Sequence, residues 1–117
     1  MKKMLIVDDD PMILEVLQRY LSKIQVKIET ASNGAKALKL IKENQYDLLL
    51  TDCIMGEMDG FELVKQVQDH YPNLFIMVMS SESFRDTFKK AGINYFFTKP
   101  LNLLDIGDTI NKILKIN

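Results

Sequence analysis

The amino-acid sequence predicts an α/β fold, a mostly parallel five-stranded sheet with helices on both faces. Three observations lead there. Short apolar, β-rich runs alternate five times with longer segments of helical period. The runs show little polar alternation, LLL at 48–50 being the plainest, as expected of strands covered on both sides. A chain of 117 residues, 47% hydrophobic and 26% charged, suits one globular domain that buries a core without disulfides or a structural metal.

The elements follow in order. The strand-like runs are KMLIV at 3–7, VKIETA at 26–31, DLLLTD at 47–52, LFIMVMS at 74–80 and NYFFT at 94–98. The helical segments between and after them are 11–24, 34–44, 61–70, 83–91 and 103–114. Local punctuation supports this division. Asp10 before Pro11 reads as an N-cap followed by a first-turn proline, Asp59 with Glu62 resembles a capping box, and Gly92 reads as a helix stop. The first helix is amphipathic, with Ile13, Leu14, Leu17, Tyr20, Leu21 and Ile24 near one side. No repeat, low-complexity segment or output domain is visible, so residues 1–117 are expected to form a single domain.

Several function classes are disfavoured. Lys and Arg are scattered among acids at a net charge of -1, without the basic stripe of a nucleic-acid surface. No apolar run has the length of a membrane span and no signal-peptide pattern follows Met1, which places the chain in the cytoplasm. The single cysteine, Cys53, has no disulfide or zinc partner and reads as a buried strand-end residue.

Right-handed crossovers align the C-terminal ends of parallel strands on one sheet edge, where open α/β sheets bind ligands. That edge collects Asp8, Asp9 and Asp10 after the first strand, Asp52 at the end of the third, Ser80 and Ser81 after the fourth, and Thr98, Lys99 and Pro100 after the fifth. Asp10 is most simply a cap. Two unit charges about 4 Å apart repel by roughly 4 kcal/mol at an effective dielectric of 20, so three gathered carboxylates cost on the order of 10 kcal/mol unless a cation joins them. Oxygen donors without thiolate or imidazole suit a hard ion, and Mg²⁺ is the expected one, with Lys99 adding positive charge. A carboxylate so placed can attack a phosphoryl group, which makes Asp52 the expected acceptor. The plain alternative is that these acids are caps splayed into solvent.

Taken together, LIVDDDP, LLLTDCIMGEMDG, MVMSS and FFTKP resemble the receiver domain of bacterial two-component response regulators, over essentially the whole chain. The resemblance implies a flavodoxin-like, doubly wound (βα)₅ sheet of order 2-1-3-4-5. It implies phosphorylation of Asp52 by a phosphohistidine on a sensor histidine kinase or histidine phosphotransfer protein. Mg²⁺ would be bound directly by Asp9, mainly through water by Asp8, and by Asp52 and the Ile54 carbonyl. Lys99 would contact the phosphoryl group and Ser80 would hydrogen-bond it. Phe96 would rotate inward and alter the surface of the fourth helix, fifth strand and fifth helix, toward a downstream protein target, with a phosphorylation-dependent dimer allowed. Ser80 could instead cap the next helix, and Phe96 could be a core residue beside Tyr95 and Phe97. Lys99–Pro100 would be cis, a conformation proline makes accessible. His70 reads as solvated, and Met55, Met58, Met77 and Met79 as packing residues.

The chain departs from the family in two places. Gly56 stands where the family usually has proline, freeing the loop that presents Ile54. The interval from Ser80 to Lys99 is about one helical turn short, which predicts an abbreviated fourth helix or preceding loop. The positions that tune phosphoryl lifetime fall on Ile54 and Glu82, and an apolar Ile54 cannot orient water, so slow self-dephosphorylation is expected. Two rival functions remain. DDD at 8–10 also resembles the opening of haloacid-dehalogenase-type phosphatases, with Asp8 as nucleophile, although Met12 and the short chain fit them poorly. The other is a receiver-like interaction module that is never phosphorylated.

Overall fold

The computed structural model describes residues 1–53 and 60–115. The capping role expected of Asp59, the Ile54 carbonyl, Gly56, Met55 and Met58 therefore lie outside the described residues. In chain order the elements are β1 (Lys2–Val7), α1 (Pro11–Leu21), β2 (Val26–Ala31), α2 (Gly34–Glu43), β3 (Leu48–Asp52), α3 (Gly60–His70), β4 (Phe75–Ser80), a 3₁₀ turn (Glu82–Phe84), α4 (Arg85–Lys90), β5 (Phe96–Thr98) and α5 (Leu103–Leu114). Among the described residues the strands form one sheet of order β2-β1-β3-β4-β5, and each neighbouring pair is parallel. This is the predicted flavodoxin-like order.

The strand sequences explain the layers. Successive side chains point to opposite faces, so strands apolar at every position supply two cores. Leu5, Val7, Leu49, Ile76 and Val78 pack on one face with Ala37, Leu38 and Ile41 of α2, Leu63, Val64 and Val67 of α3, and Phe88 of α4. Met4, Ile6, Leu48, Leu50, Met77, Met79 and Phe97 pack on the other with Leu17 and Leu21 of α1 and Ile106, Ile110 and Leu114 of α5. Each fully buried Leu, Ile or Met contributes roughly 1.5–3 kcal/mol relative to exposure, so this double core holds the strand ends in register.

The helix boundaries follow their caps. The Asp10 carboxylate accepts from the Met12 N–H at 2.9 Å, with Pro11 in the first turn. Asn33 and Asn102 cap α2 and α5 in the same way, by accepting from the N–H groups of Lys36 and Asp105. The helix expected over 11–24 stops at Leu21, where the Ser22 hydroxyl donates to the Arg19 carbonyl and a tight turn leads into β2. Ile24 still packs on the α1 and α5 side of the sheet, so the periodicity correctly read its burial beyond the helix itself. Gly92 ends the α4 region in the left-handed conformation, φ 89°. α4 itself has six residues after its 3₁₀ turn, an abbreviated helix. None of the described helices is long and apolar enough to cross a membrane.

The start of α3 lies hard against the end of β3. The Gly60 N–H donates to the Cys53 carbonyl at 2.8 Å, and a Cβ on Gly60 would sit 2.1 Å from the Asp52 carbonyl oxygen and 2.5 Å from the Cys53 Cα. Both obstacles are backbone, so side-chain adjustment cannot relieve them. Gly60→Ala is expected to destabilise the chain by about 3 kcal/mol or more, at the upper end of overpacking costs. Denaturant titration measures this directly, and an unchanged midpoint would contradict the close approach.

Candidate functional site

The register brings the strand ends to one edge. Val7 pairs with Thr51, Asp52 with Met79 and Ser80 with Thr98, so the next residues of β1 and β5, Asp8 and Lys99, fall beside the tips of β3 and β4. The Asp8 N–H extends the β1–β2 ladder to the Ala31 carbonyl, and the Lys99 N–H extends β4–β5 to the Ser80 carbonyl. Backbone pairing thus fixes the bases of these side chains before any side-chain contact forms.

Asp8 is 0% exposed and Asp52 7%, whereas Asp9 is open to solvent. One carboxylate oxygen from each of the three lies within 4.8 Å of the others. Lys99 Nζ donates to Asp8 Oδ2 at 3.1 Å and lies 3.3 Å from Asp52 Oδ2. The remaining oxygens are held by backbone, with Asp8 Oδ1 accepting from the Asp10 N–H at 2.9 Å and Asp52 Oδ1 from the Cys53 N–H at 2.7 Å. Asp10, as expected of a cap, serves α1.

Burial pushes the Asp8 carboxyl above its ordinary range and the charge of Asp52 adds to this, outweighing the Asp10 N–H and Lys99. Burial also pulls Lys99 down, but its bond to Asp8 and the charges of Asp52 and Asp8 leave the ammonium above its ordinary value. One ammonium between two buried carboxylates, with a third acid beside them, leaves excess negative charge. The donors suit a hard divalent ion, being carboxylate oxygens without imidazole. Asp8, Asp9 and Asp52, each offering one carboxylate oxygen within 4.8 Å of the others, would hold such an ion, which would offset their excess negative charge.

Ser80 and Phe96 are placed less simply. Ser80 does not cap the following turn, whose N-cap residue is Ser81. It is 3% exposed, and its hydroxyl lies 2.6 Å from the buried Cys53 thiol. Burial and the Asp52 charge push that thiol up, the Ser80 bond opposing, so it stays protonated at neutral pH. Phe96 is half-buried, with its ring 6.0 Å from that of Phe88 and the Arg85 guanidinium 4.9 Å above its face. Arg85 also pairs with Glu82 at 2.8 Å and donates to Thr98, whose hydroxyl donates to Glu82 at 2.7 Å. Phe97 is the buried member of its run, Lys99–Pro100 is cis, and His70 is exposed.

Sequence reasoning missed the Cys53–Ser80 contact and the cover of Arg85 over Phe96. The only signal for either was that the residues occupy adjacent strand ends or neighbouring turns.

Residues 4–111 match the family model for the response regulator receiver domain. The heme response regulator HssR of Staphylococcus saprophyticus is 31% identical over 113 residues, covering 95% of this chain and 50% of the relative. The transcriptional regulatory protein ZraR of Klebsiella oxytoca is 33% identical over 113 residues, covering 94% of this chain and 26% of the relative. Among solved structures, the Francisella response regulator 1452 receiver domain superposes with TM-score 0.90 at 26% identity, covering 98% of each chain. TrrA of Thermotoga maritima, solved in complex with Mg(2+)-BeF, gives 0.89 at 27% identity, covering 97% of this chain and 99% of its own. A parallel sheet of this order with acids and a lysine at its edge defines the class, and the chain belongs to the response regulator receiver family of two-component systems. Receiver domains are phosphorylated by histidine kinases and generally use Mg²⁺ at an acidic pocket. The chain spans about half the length of the HssR relatives and about a quarter of ZraR.

Because the folded pKa of Asp8 is raised, its ionised form subtracts stability at neutral pH, and that deficit disappears as pH falls through the raised value. Asp8→Asn should accordingly melt at a higher temperature than the parent chain without metal, yet gain less from added Mg²⁺. Calorimetric melts with and without Mg²⁺ test both halves. A lower metal-free melting temperature would show that Asp8 is a net stabiliser.

Proposed function

We propose that this chain accepts a phosphoryl group on Asp52 from a phosphohistidine of a sensor histidine kinase or phosphotransfer protein, with Mg²⁺ held by Asp8, Asp9 and Asp52. The observation that carries this reading is the sharing of the Lys99 ammonium between two buried carboxylates beside a third, exposed one. The match to TrrA, solved with Mg(2+)-BeF, supports it. When bound, the metal supplies positive charge opposite the phosphoryl oxygens. Asp52 supplies the attacking carboxylate oxygen: an O–P bond forms, the P–N bond of the donor breaks, and its electron pair remains on the imidazole nitrogen. The Cys53 N–H orients the acceptor through Oδ1. Lys99, held close by Asp8, offsets the charge that the phosphoryl group brings.

Asp8 is a poor candidate for the phosphatase nucleophile. It is fully buried, whereas Asp52 keeps 7% of its surface open. The proposed consequence of phosphorylation is a change at the Ser80, Phe96 and α4–β5–α5 surface, read by a downstream protein or a second copy. Glu82, committed to Arg85 and Thr98, is poorly placed to orient an attacking water, which together with apolar Ile54 favours slow loss of the phosphoryl group.

Incubation with a small phosphodonor and Mg²⁺, followed by intact mass, should add one phosphoryl group to the parent chain and none to Asp52→Asn. An adduct retained by Asp52→Asn, or none in either chain with any donor, would remove the acceptor assignment. Loss of the group should then be slow, and Glu82→Ala should alter its rate by no more than about two-fold, roughly 0.4 kcal/mol in barrier. Fast decay unaffected by Glu82→Ala would refute the lifetime argument while leaving the acceptor intact.

A further inference from the structure

We propose that Cys53 is a positioning residue whose thiol competes with the phosphoryl group for the Ser80 hydroxyl, so that this one contact sets how strongly phosphorylation engages β4. The inference rests on the reading of Asp52 as acceptor and extends it to a residue the sequence pattern treats as filler. Its basis is a continuous connection. The Cys53 N–H holds Asp52 Oδ1 at 2.7 Å, and the side chain of the same residue reaches Ser80 Oγ at 2.6 Å. A single residue thus joins the acceptor to the hydroxyl on the neighbouring strand.

Burial gives the contact its consequence. Cys53 is 0% exposed and Ser80 3%, so water cannot readily replace the thiol as partner. A buried hydroxyl left without a partner is costly, whereas exchange of one partner for another nearby is cheap. Either group can donate in this contact, and competition with the phosphoryl group operates where Ser80 donates, to a sulfur that is only a weak acceptor. Phosphoryl oxygens are charged acceptors, and bonds to them are roughly twice as strong as neutral ones. Ser80 therefore has a resting partner good enough to satisfy it and weak enough to be displaced. A hydroxyl at position 53 would hold Ser80 harder, and an apolar side chain would leave it unpaired and readier for the phosphoryl group. Ser80 lies at the end of β4, its backbone carbonyl accepting from the Lys99 N–H, so release of its side chain acts at the seam where β4 meets the lysine-bearing end of β5.

The test is the affinity of beryllofluoride, a phosphoryl mimic, with excess Mg²⁺, measured by calorimetry on the parent chain, Cys53→Ala, Cys53→Ser, Ser80→Ala and the two double variants. Cys53→Ala should tighten binding by about three- to ten-fold, the range expected when one neutral hydrogen bond stops competing. Cys53→Ser should weaken it. On the Ser80→Ala background both effects should vanish, a dependence that loss of packing alone would not produce. Melting curves identify any variant that does not fold; should Cys53→Ala fail, the near-isosteric Cys53→Ser pair carries the test. Equal shifts with and without Ser80, or no shift with Ser80 present, overturn the role of Cys53 while the parent's own binding upholds the acceptor site. Absence of binding by the parent chain overturns both.

Discussion

One ammonium group shared by two buried carboxylates organises this molecule. Lys99 reaches Asp8 at 3.1 Å and Asp52 at 3.3 Å, from a strand that is separated in the sheet from β1 by β3 and β4. A buried acid is tolerable when paired and hydrogen-bonded, and here each carboxylate has both the ammonium and a backbone N–H. The compensation is incomplete, because two negative charges face one positive charge with Asp9 at the rim. That shortfall makes the edge receptive to a divalent cation, while burial, with a smaller contribution from the Asp52 charge, displaces Asp8 upward.

The rest of the fold keeps these groups from separating. Strands apolar on both faces lock β1, β3 and β4 between two helical layers, so Asp8 and Asp52 cannot relax apart without disturbing Val7, Leu50 and Met79. Gly60 reinforces the arrangement from below, bringing the start of α3 onto the backbone of Asp52 and Cys53, where any side chain would intrude. A site that lowers local stability is thereby mounted on strands buried on both faces.

Away from the acids, aromatic rings connect the edge to the α4 side. Phe61, directly after Gly60, stacks on Phe88 at 4.7 Å and meets Phe84 edge-on at 5.3 Å, and Phe88 in turn neighbours Phe96. Arg85 closes over Phe96 while tied to Glu82 and Thr98. Because α4 is short, this surface depends on ring packing and one exposed ion-pair network more than on helix length. Exposed ion pairs contribute little, so the rings carry most of the cohesion.

The sequence by itself determined the alternation of strands and helices, the double-sided burial of the sheet, the caps at Asp10 and Gly92, and the gathering of Asp8, Asp9, Asp52 and Lys99 on one edge. Each follows from local pattern joined to the fixed hand of parallel crossovers. Only the tertiary structure decided the end of α1 at Leu21, the partner of Ser80, and the placement of Phe96 between Phe88 and Arg85. Those depend on distances of a few ångströms between side chains far apart in sequence, such as Cys53 and Ser80, and periodicity carries no such information. Position along a strand tells which edge a residue reaches; the packing of both layers settles which neighbour it touches there.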